Sequence, residues 1–300
     1  MGEWMDRIIG AGVIVRRGVN GSELTTFGSG GAIKWLLAPS SAEGVALTVR
    51  TLRLAGVPYR VIGGGSDILL PDEGYAGALI TLSRLPGIAF AGDLVTADAG
   101  AKLPTLAMRA AEMSLSGMEF ASGIPGTVGG AVCCNAGAFG GSVADSLKAV
   151  VLLDDRGEIQ TLTARELTMT YHRATLPQGY IVLSALFKLK GAEKGAIRET
   201  MREMAYRRSR TQPRQRSAGS VFRRVGDTPA AMYIERTGLK GCRIGGAELS
   251  RVHCNFIVNV GGATTADYFA VAERVRESVE KQSGVTLKYE VERICSPRSS

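Results

Sequence analysis

Histidine is nearly missing from this chain and cysteine is scarce: two histidines and five cysteines in 300 residues. His172 and His253 lie far apart, which excludes a histidine-rich metal centre. Cys133, Cys134, Cys242, Cys254 and Cys295 are odd in number and form no CxxC pair. That argues against a zinc site and a disulfide framework, and for a reducing cytoplasm. No apolar run approaches the ~18 residues a membrane span needs. The early "RIIGAGVIV" is short, follows Glu3 and Asp6, and has no cleavage region after it, so it does not read as a signal peptide. Membrane insertion is not expected.

What is present suits a globular protein with a sizeable core. Apolar residues make up 45% and charged residues 21%, and the length fits one large domain or two to three small ones. The net charge of +8 is uneven: nine arginines lie between Arg198 and Arg224 against Glu199 and Glu203. Such a run is either a solvated helix face or an anion site, because guanidinium groups match phosphate geometry. Only Tyr206 and Phe222 interleave as aromatics, so nucleic acid is not the expected partner.

Periodicity predicts a helix over 41–55 ending at Gly56, then a strand in "YRVIGGGSDILL" that runs into a glycine turn and a second apolar run. "GALITL" and "LVTADAG" read as strands, and "LPTLAMRAAEMSLSG" as an amphipathic helix ending at Gly117. "KAVVLLDDRGEIQTL" reads as a hairpin turning near Asp155–Gly157, and "YIVLSALFKL" as a strand. A charged helix runs from about Ala192 to the residues before Pro213. Beyond it come a helix in "TPAAMYIERTG", a buried strand in "CNFIVNV", and a helix from Thr265 whose stripe includes Phe269, Ala272, Val275 and Val279. "VTLKYEVERI" reads as a closing strand. The segment 190–215 marks the change from a glycine-rich β part to a compact α+β part.

Two glycine segments carry the functional signal. "SGIPGTVGGAVCCNAGAFGG" (122–141) holds seven glycines and no charge, with Ile124, Val128, Val132 and Phe139 between them. A flexible linker would be polar. This backbone bends tightly and packs, as a main chain pressed against a ligand would. "GGGSD" (63–67) follows a strand, where its amides can form an anion nest or a plain tight turn. It is neither a Walker loop nor a GxGxxG fingerprint. Together the segments suit a dinucleotide such as FAD.

"GGGSDILL", "SGIPGTVGGAV..NAGAFGG", "AGSVF" and "GLKGCRIGGAELS..H.NFIVN", in this order from about Thr25 to Ile294, resemble the UDP-N-acetylenolpyruvoylglucosamine reductase family. The resemblance implies an α+β chain with a vanillyl-alcohol-oxidase-type FAD-binding fold. Two α/β subdomains, 1–83 and 84–195, would hold the flavin. A C-terminal α+β domain, 196–300, would hold substrate, with its last strand (285–294) returning Glu290 to the site. It also implies the short class of the enzyme, without the extra insertion. The cofactors implied are noncovalent FAD and NADPH as reductant. The substrate implied is UDP-N-acetylglucosamine enolpyruvate, converted to UDP-N-acetylmuramic acid for peptidoglycan by a cytoplasmic monomer.

Roles carry over by position. Gly63, Gly64, Gly65, Ser66 and Asp67 would hold the FAD pyrophosphate. Ile124, Pro125, Gly126, Thr127, Gly129 and Gly130, with Asn135, Ala136 and Gly137, would run beside the isoalloxazine and ribityl chain. Arg173, Ser220 and Glu290 would be catalytic. Hydride added to C3 of an enolpyruvyl ether leaves negative charge at C2 and its carboxylate, which a fixed guanidinium stabilises and an acid must then quench. Arg173 and Ser220 suit those tasks, and Glu290 orients, polarises or shares the proton. Arg223 and Arg224 would meet the substrate diphosphate.

The chain departs from the family pattern at Asp67 and Arg224, where asparagine is usual, and at His172, where tyrosine is common. Asp67 would repel a pyrophosphate, so it faces away or caps an amide. A flavin oxidase of the same fold and a noncatalytic FAD- or nucleotide-binding scaffold are the alternatives. The first needs a base and no proton donor to carbon, and the second would tolerate loss of the catalytic set, which is complete.

Overall fold

The computed structural model describes residues 3–297 apart from 155, 171, 172 and 178. His172 and Asp155 therefore lie outside the described residues. The chain forms two compact units, one of Met1–Arg16, Leu36–Gly64 and Ala78–Arg208, the other of Arg17–Trp35, Gly65–Gly77 and Ser209–Ser300.

In the first unit, five antiparallel strands form a sheet in the order Ile159–Thr163, Leu147–Leu153, Ile181–Lys188, Leu94–Asp98, Ile88–Ala91. The hairpin expected near Gly157 is there. Leu153 pairs with Ile159, Gly157 takes φ +85°, and Asp154 Oδ1 accepts the amides of Arg156 and Glu158 at 2.8 Å each. Alternate residues such as Val150 and Leu152 are fully buried, as period-two patterning requires. A parallel pair joins Tyr59–Ile62 to the Ala78–Thr81 part of the next long strand, and the helix Ala42–Leu54 precedes it, capped by Ser41 Oγ on the Gly44 amide. The glycine segment 63–64 thus leaves the end of a parallel strand.

One expectation in this unit needs correction. The helix beginning at Leu103 ends at Glu112, not Gly117, because Ser114 enters the left-handed region at φ +58°. Leu115–Ser116 then pairs with Lys190–Gly191, so the apolar period continues in a different structure. The glycine segment 122–141 contains the short helix Val128–Cys133, capped by Thr127 Oγ1 on the Gly130 amide.

The second unit packs a four-stranded antiparallel sheet, in the order Arg216–Ser220, Phe256–Asn259, Ala247–Leu249, Arg243–Ile244, with the helix Thr265–Ser283. The helix starts in a capping box, Thr264 with Asp267, and stops at left-handed Gly284 (φ +69°). The Asp267 carboxyl is held below its usual range chiefly by the Thr264 amide. Its buried stripe is Tyr268, Val271, Ala272, Val275 and Val279, whereas Phe269 is only half-buried. The expected face is the core face at Ala272, Val275 and Val279, and only Phe269 gives way, to Tyr268, which goes inside against Phe27 (ring centroids 5.0 Å).

The closing segment does not form one strand. Its first half lies beside the chain after Ser220: Tyr289 bridges Phe222, and the Arg223 amide donates to Lys288 O at 2.9 Å. Its second half changes partner, and Glu292–Arg293 runs parallel to Ile68–Leu69. No helix among the described residues is long and apolar enough to cross a membrane.

The Thr265 helix has a second cap. Asp72 Oδ1 and Oδ2 accept the Thr265 and Ala266 amides at 2.8 Å each. Asp72→Ala is expected to cost about 0.5–2 kcal/mol without changing the fold. A fall in the urea midpoint with unchanged circular dichroism is the measurement, and an unchanged midpoint would show the cap to be idle.

Candidate active site

The first unit brings the two glycine segments together, main chain against main chain. A β-carbon on Gly64 would stand 2.7 Å from Gly126 Cα, and one on Gly63 would stand 2.9 Å from Thr127 Oγ1. Gly126 has φ +123°, which side chains rarely adopt. The segment is held from beneath by the residues after the strand Leu94–Asp98. Gly129 and Val128 donate to Ala99 O and Ala101 O, and Leu103 donates to Gly126 O. A β-carbon on Gly129 would be 2.8 Å from that of Ala99. Val128 and Gly129 are thus buried, while Ile124, Gly126, Thr127 and Gly130 are half-buried and Gly63, Gly64 and Pro125 are exposed. A face of exposed main chain without side chains or charge fits a flavin dinucleotide.

Asn135 is different. It is buried, left-handed (φ +43°), and its amide side chain is spent on the protein: Nδ2 donates to Thr170 O at 2.8 Å and Oδ1 accepts the Ala144 amide at 2.9 Å. Thr170 pairs directly with Arg173 in a two-stranded hairpin, Thr168–Thr170 with Arg173–Thr175. One asparagine therefore ties the glycine segment to the strand that begins with Arg173. Ala136 and Gly137 follow, half-buried, and the Ala136 amide donates to Ala131 O.

In the second unit, three segments meet. The Glu290 amide donates to Val221 O at 2.9 Å, so Glu290 lies across from the residue after Ser220. The Glu292 amide donates to Asp67 O at 3.0 Å. A β-carbon on Gly219 would lie 3.9 Å from Ser66 O. Ser220 pairs with Phe256 after a bulge that begins at Ser217, and Gly219 takes φ +76° within it. A bulge re-aims the side chain that follows, and here that side chain is Ser220.

Asn255, unassigned in the sequence, fixes this turn. Its Oδ1 accepts the Phe222 amide at 3.0 Å, its Nδ2 donates to Phe222 O at 2.9 Å, and its carbonyl accepts the Val221 amide at 2.9 Å. His253 is a structural hydrogen-bonder, as expected: its Nδ1 accepts the Asn255 amide at 3.2 Å, and burial depresses its basicity. Tyr268 is fully buried, and its phenol is pushed well above its ordinary range by burial first, then by Asp67, Tyr289 and Glu290. Tyr289 stacks on Phe222 (5.2 Å) and donates to Glu273 Oε1 at 2.7 Å, which keeps Glu290 in register. Its phenol is also raised, by burial and by that bond.

Arg223 and Arg224 are exposed, and an Arg224 Nη2 donates to Asp227 O in its own turn. Cys254 is buried, with its thiol pushed up to about 11 by burial and Glu235, so it is no nucleophile. Among the described residues no cluster of His, Cys, Asp and Glu can hold a metal. Asn255 stands in "NFIVN" and Tyr289 in "LKYEVERI", but the sequence gives neither a role. Only their partners make them visible.

The close glycine approach has a direct test. Gly64→Ala and Gly126→Val are each expected to purify with less FAD than wild type, read as the ratio of flavin to protein absorbance. Full flavin content in both would show that the approach is not needed.

The C-terminal domain model of UDP-N-acetylenolpyruvoylglucosamine reductase matches residues 212–294, and an FAD binding domain model matches 33–163. The UDP-N-acetylenolpyruvoylglucosamine reductase of Synechococcus sp. CC9311 is 44% identical over 90% of both chains, and that of Rubrobacter xylanophilus 40% over 91% of this chain and 93% of its own. The crystal structure of the Thermus caldophilus enzyme superposes with a TM-score of 0.83 at 36% identity, over 95% of this chain and all of the other. With its FAD-binding region and its C-terminal region each matched in place, the chain belongs to the UDP-N-acetylenolpyruvoylglucosamine reductase family.

Proposed function

We propose that Ser220, Arg173 and Glu290 carry the chemistry of this reductase. The chain reduces the enolpyruvyl ether of UDP-N-acetylglucosamine to UDP-N-acetylmuramic acid, a peptidoglycan precursor, with FAD and NADPH. FAD, when bound, relays hydride from NADPH to C3 of the enolpyruvyl group. Gly63 and Gly64, with Ile124–Gly130, would offer main chain to the flavin dinucleotide, and Gly65, Ser66 and Asp67 would offer amides to its pyrophosphate.

Arg173 stabilises the charge that develops at C2 and its carboxylate, where a fixed cation in a water-poor site is most effective. The Ser220 hydroxyl delivers the proton to C2. Glu290 would orient that hydroxyl or replenish its proton. Arg223 and Arg224 bind the substrate diphosphate, whose oxygens match paired guanidinium groups. We assign the work to a cytoplasmic monomer in which residues 1–83 and 84–195 hold FAD and 196–300 hold substrate.

The observation that supports this reading best is the bond from the Glu290 amide to Val221 O, 2.9 Å, just after a glycine bulge that ends at Ser220. A serine aimed by a bulge, with Glu290 held across from the residue that follows it, suits the delivery of a proton.

Two variants check it. Ser220→Ala is expected to leave flavin bleaching by NADPH intact and to slow recolouring by the sugar nucleotide roughly 10²–10⁴-fold, about 3–5 kcal/mol of barrier. Normal recolouring, with solvent deuterium still placed at C2, would remove Ser220 from the mechanism. Arg224→Ala is expected to raise KM for the sugar nucleotide and spare bleaching; an unchanged KM would return Arg224 to the solvated surface.

A further inference from the structure

One arginine of the basic run is bound by the protein's own main chain. In the second unit the turn 22–26 directs three main-chain carbonyls at a single point, and the Arg216 guanidinium fills it. Nη2 donates to Ser22 O at 3.1 Å and Thr25 O at 3.0 Å, and Nε donates to Thr26 O at 3.2 Å. Gly28 makes the room: it has φ +83°, and a β-carbon there would stand 2.4 Å from Arg216 Cζ. The turn is also closed on itself. Thr25 is buried, its Oγ1 accepts the Gly28 amide at 3.2 Å, and it donates to Ser29 O at 3.0 Å.

The turn so held is a bridge. The Thr26 amide donates to Gly65 O at 2.9 Å, and Thr26 Oγ1 donates to Ser217 O at 2.7 Å. Leu24 O packs so tightly that a β-carbon on Gly65 would be 1.8 Å from it. One side of the turn therefore grips the Gly65–Asp67 segment. The other grips the strand Arg216–Ser220 at the residue where its bulge begins. Arg216 starts that strand, so the guanidinium fastens the turn to the element that carries Ser220. A guanidinium is charged at every accessible pH and its fork is planar, so it can hold three fixed carbonyls where a flexible ammonium cannot.

We infer that Arg216 and Thr26 are positioning residues that set the Ser220 hydroxyl against the amides of Gly65–Asp67. This rests on the reading above, in which those amides hold the FAD pyrophosphate and Ser220 gives the proton. Neither residue touches substrate. Each acts through the main chain of a segment that does.

The test uses the full FAD-loaded chain. Thr26→Val keeps the shape and removes only the hydroxyl, which bonds Ser217 O at 2.7 Å and Gly65 O at 3.4 Å, so it should fold even if Arg216→Ala does not. At saturating FAD, Thr26→Val is expected to recolour about tenfold more slowly while bleaching by NADPH stays within about twofold, and Thr26→Ser to restore the rate. Arg216→Ala is expected to weaken FAD binding about 10- to 100-fold, measured by flavin fluorescence on titrating the apoprotein. Methylguanidinium in solution should recover part of that affinity, and Arg216→Lys should recover less than wild type. Recolouring and FAD affinity within about twofold of wild type in both variants would overturn the inference. So would an equal fall of bleaching and recolouring in Thr26→Val, which is the signature of general loosening. Ser220→Ala run in parallel separates the two claims: normal recolouring there defeats the proton-donor reading, and the FAD-affinity measurements then decide the positioning claim alone.

Discussion

A β-carbon on Gly64 would sit 2.7 Å from the Cα of Gly126, and on that missing atom the first unit depends. The two segments can lie main chain on main chain only if neither has a side chain at the contact. The rest of the unit maintains the approach. Ala99 and Ala101 hold the second segment by its amides, Thr127 caps the helix that follows, and Asn135 carries the link on to the hairpin of Arg173. Packing there is so close that a β-carbon on the next glycine, Gly129, would stand 2.8 Å from that of Ala99.

The second unit solves a related problem by changing partners. Its C-terminal segment pairs first with the residues after Ser220 and then with those after Gly65. A strand that stayed with one partner would place Glu290 beside only one of them. Splitting its hydrogen bonds gives up ladder length, which Asn255 and the Tyr289–Glu273 bond offset locally. The same unit spends an arginine on three carbonyls. A charge-assisted bond is stronger than a neutral one, and a turn that carries Gly65 on one side and Ser217 on the other is where that strength matters.

The departures noted in the sequence now read differently. Arg216 belongs to a run of nine arginines that suggested either a solvated face or an anion site, and its guanidinium, though exposed, holds three main-chain carbonyls. Arg224 donates to a carbonyl of its own turn. Burial first, with Asp67 and Glu290 adding to it, holds the deep Tyr268 phenol above its ordinary range.

The sequence by itself determined the two glycine segments, the hairpin at Gly157 and the helix ending at Gly284. Each rests on local chemistry: glycine at positive φ, period-two burial, a capping box. It also carried the order of motifs that marks the family, with Ser220 after "AG" and Glu290 in "YEVERI". Tertiary structure decided what those signals meet. Nothing local says that Gly28 leaves space for a guanidinium 188 positions away along the chain, that Thr26 joins Gly65 to Ser217, or that the closing segment switches partners after Tyr289. Such contacts join residues remote in sequence, and their energy exists only once the chain has closed the loops between them.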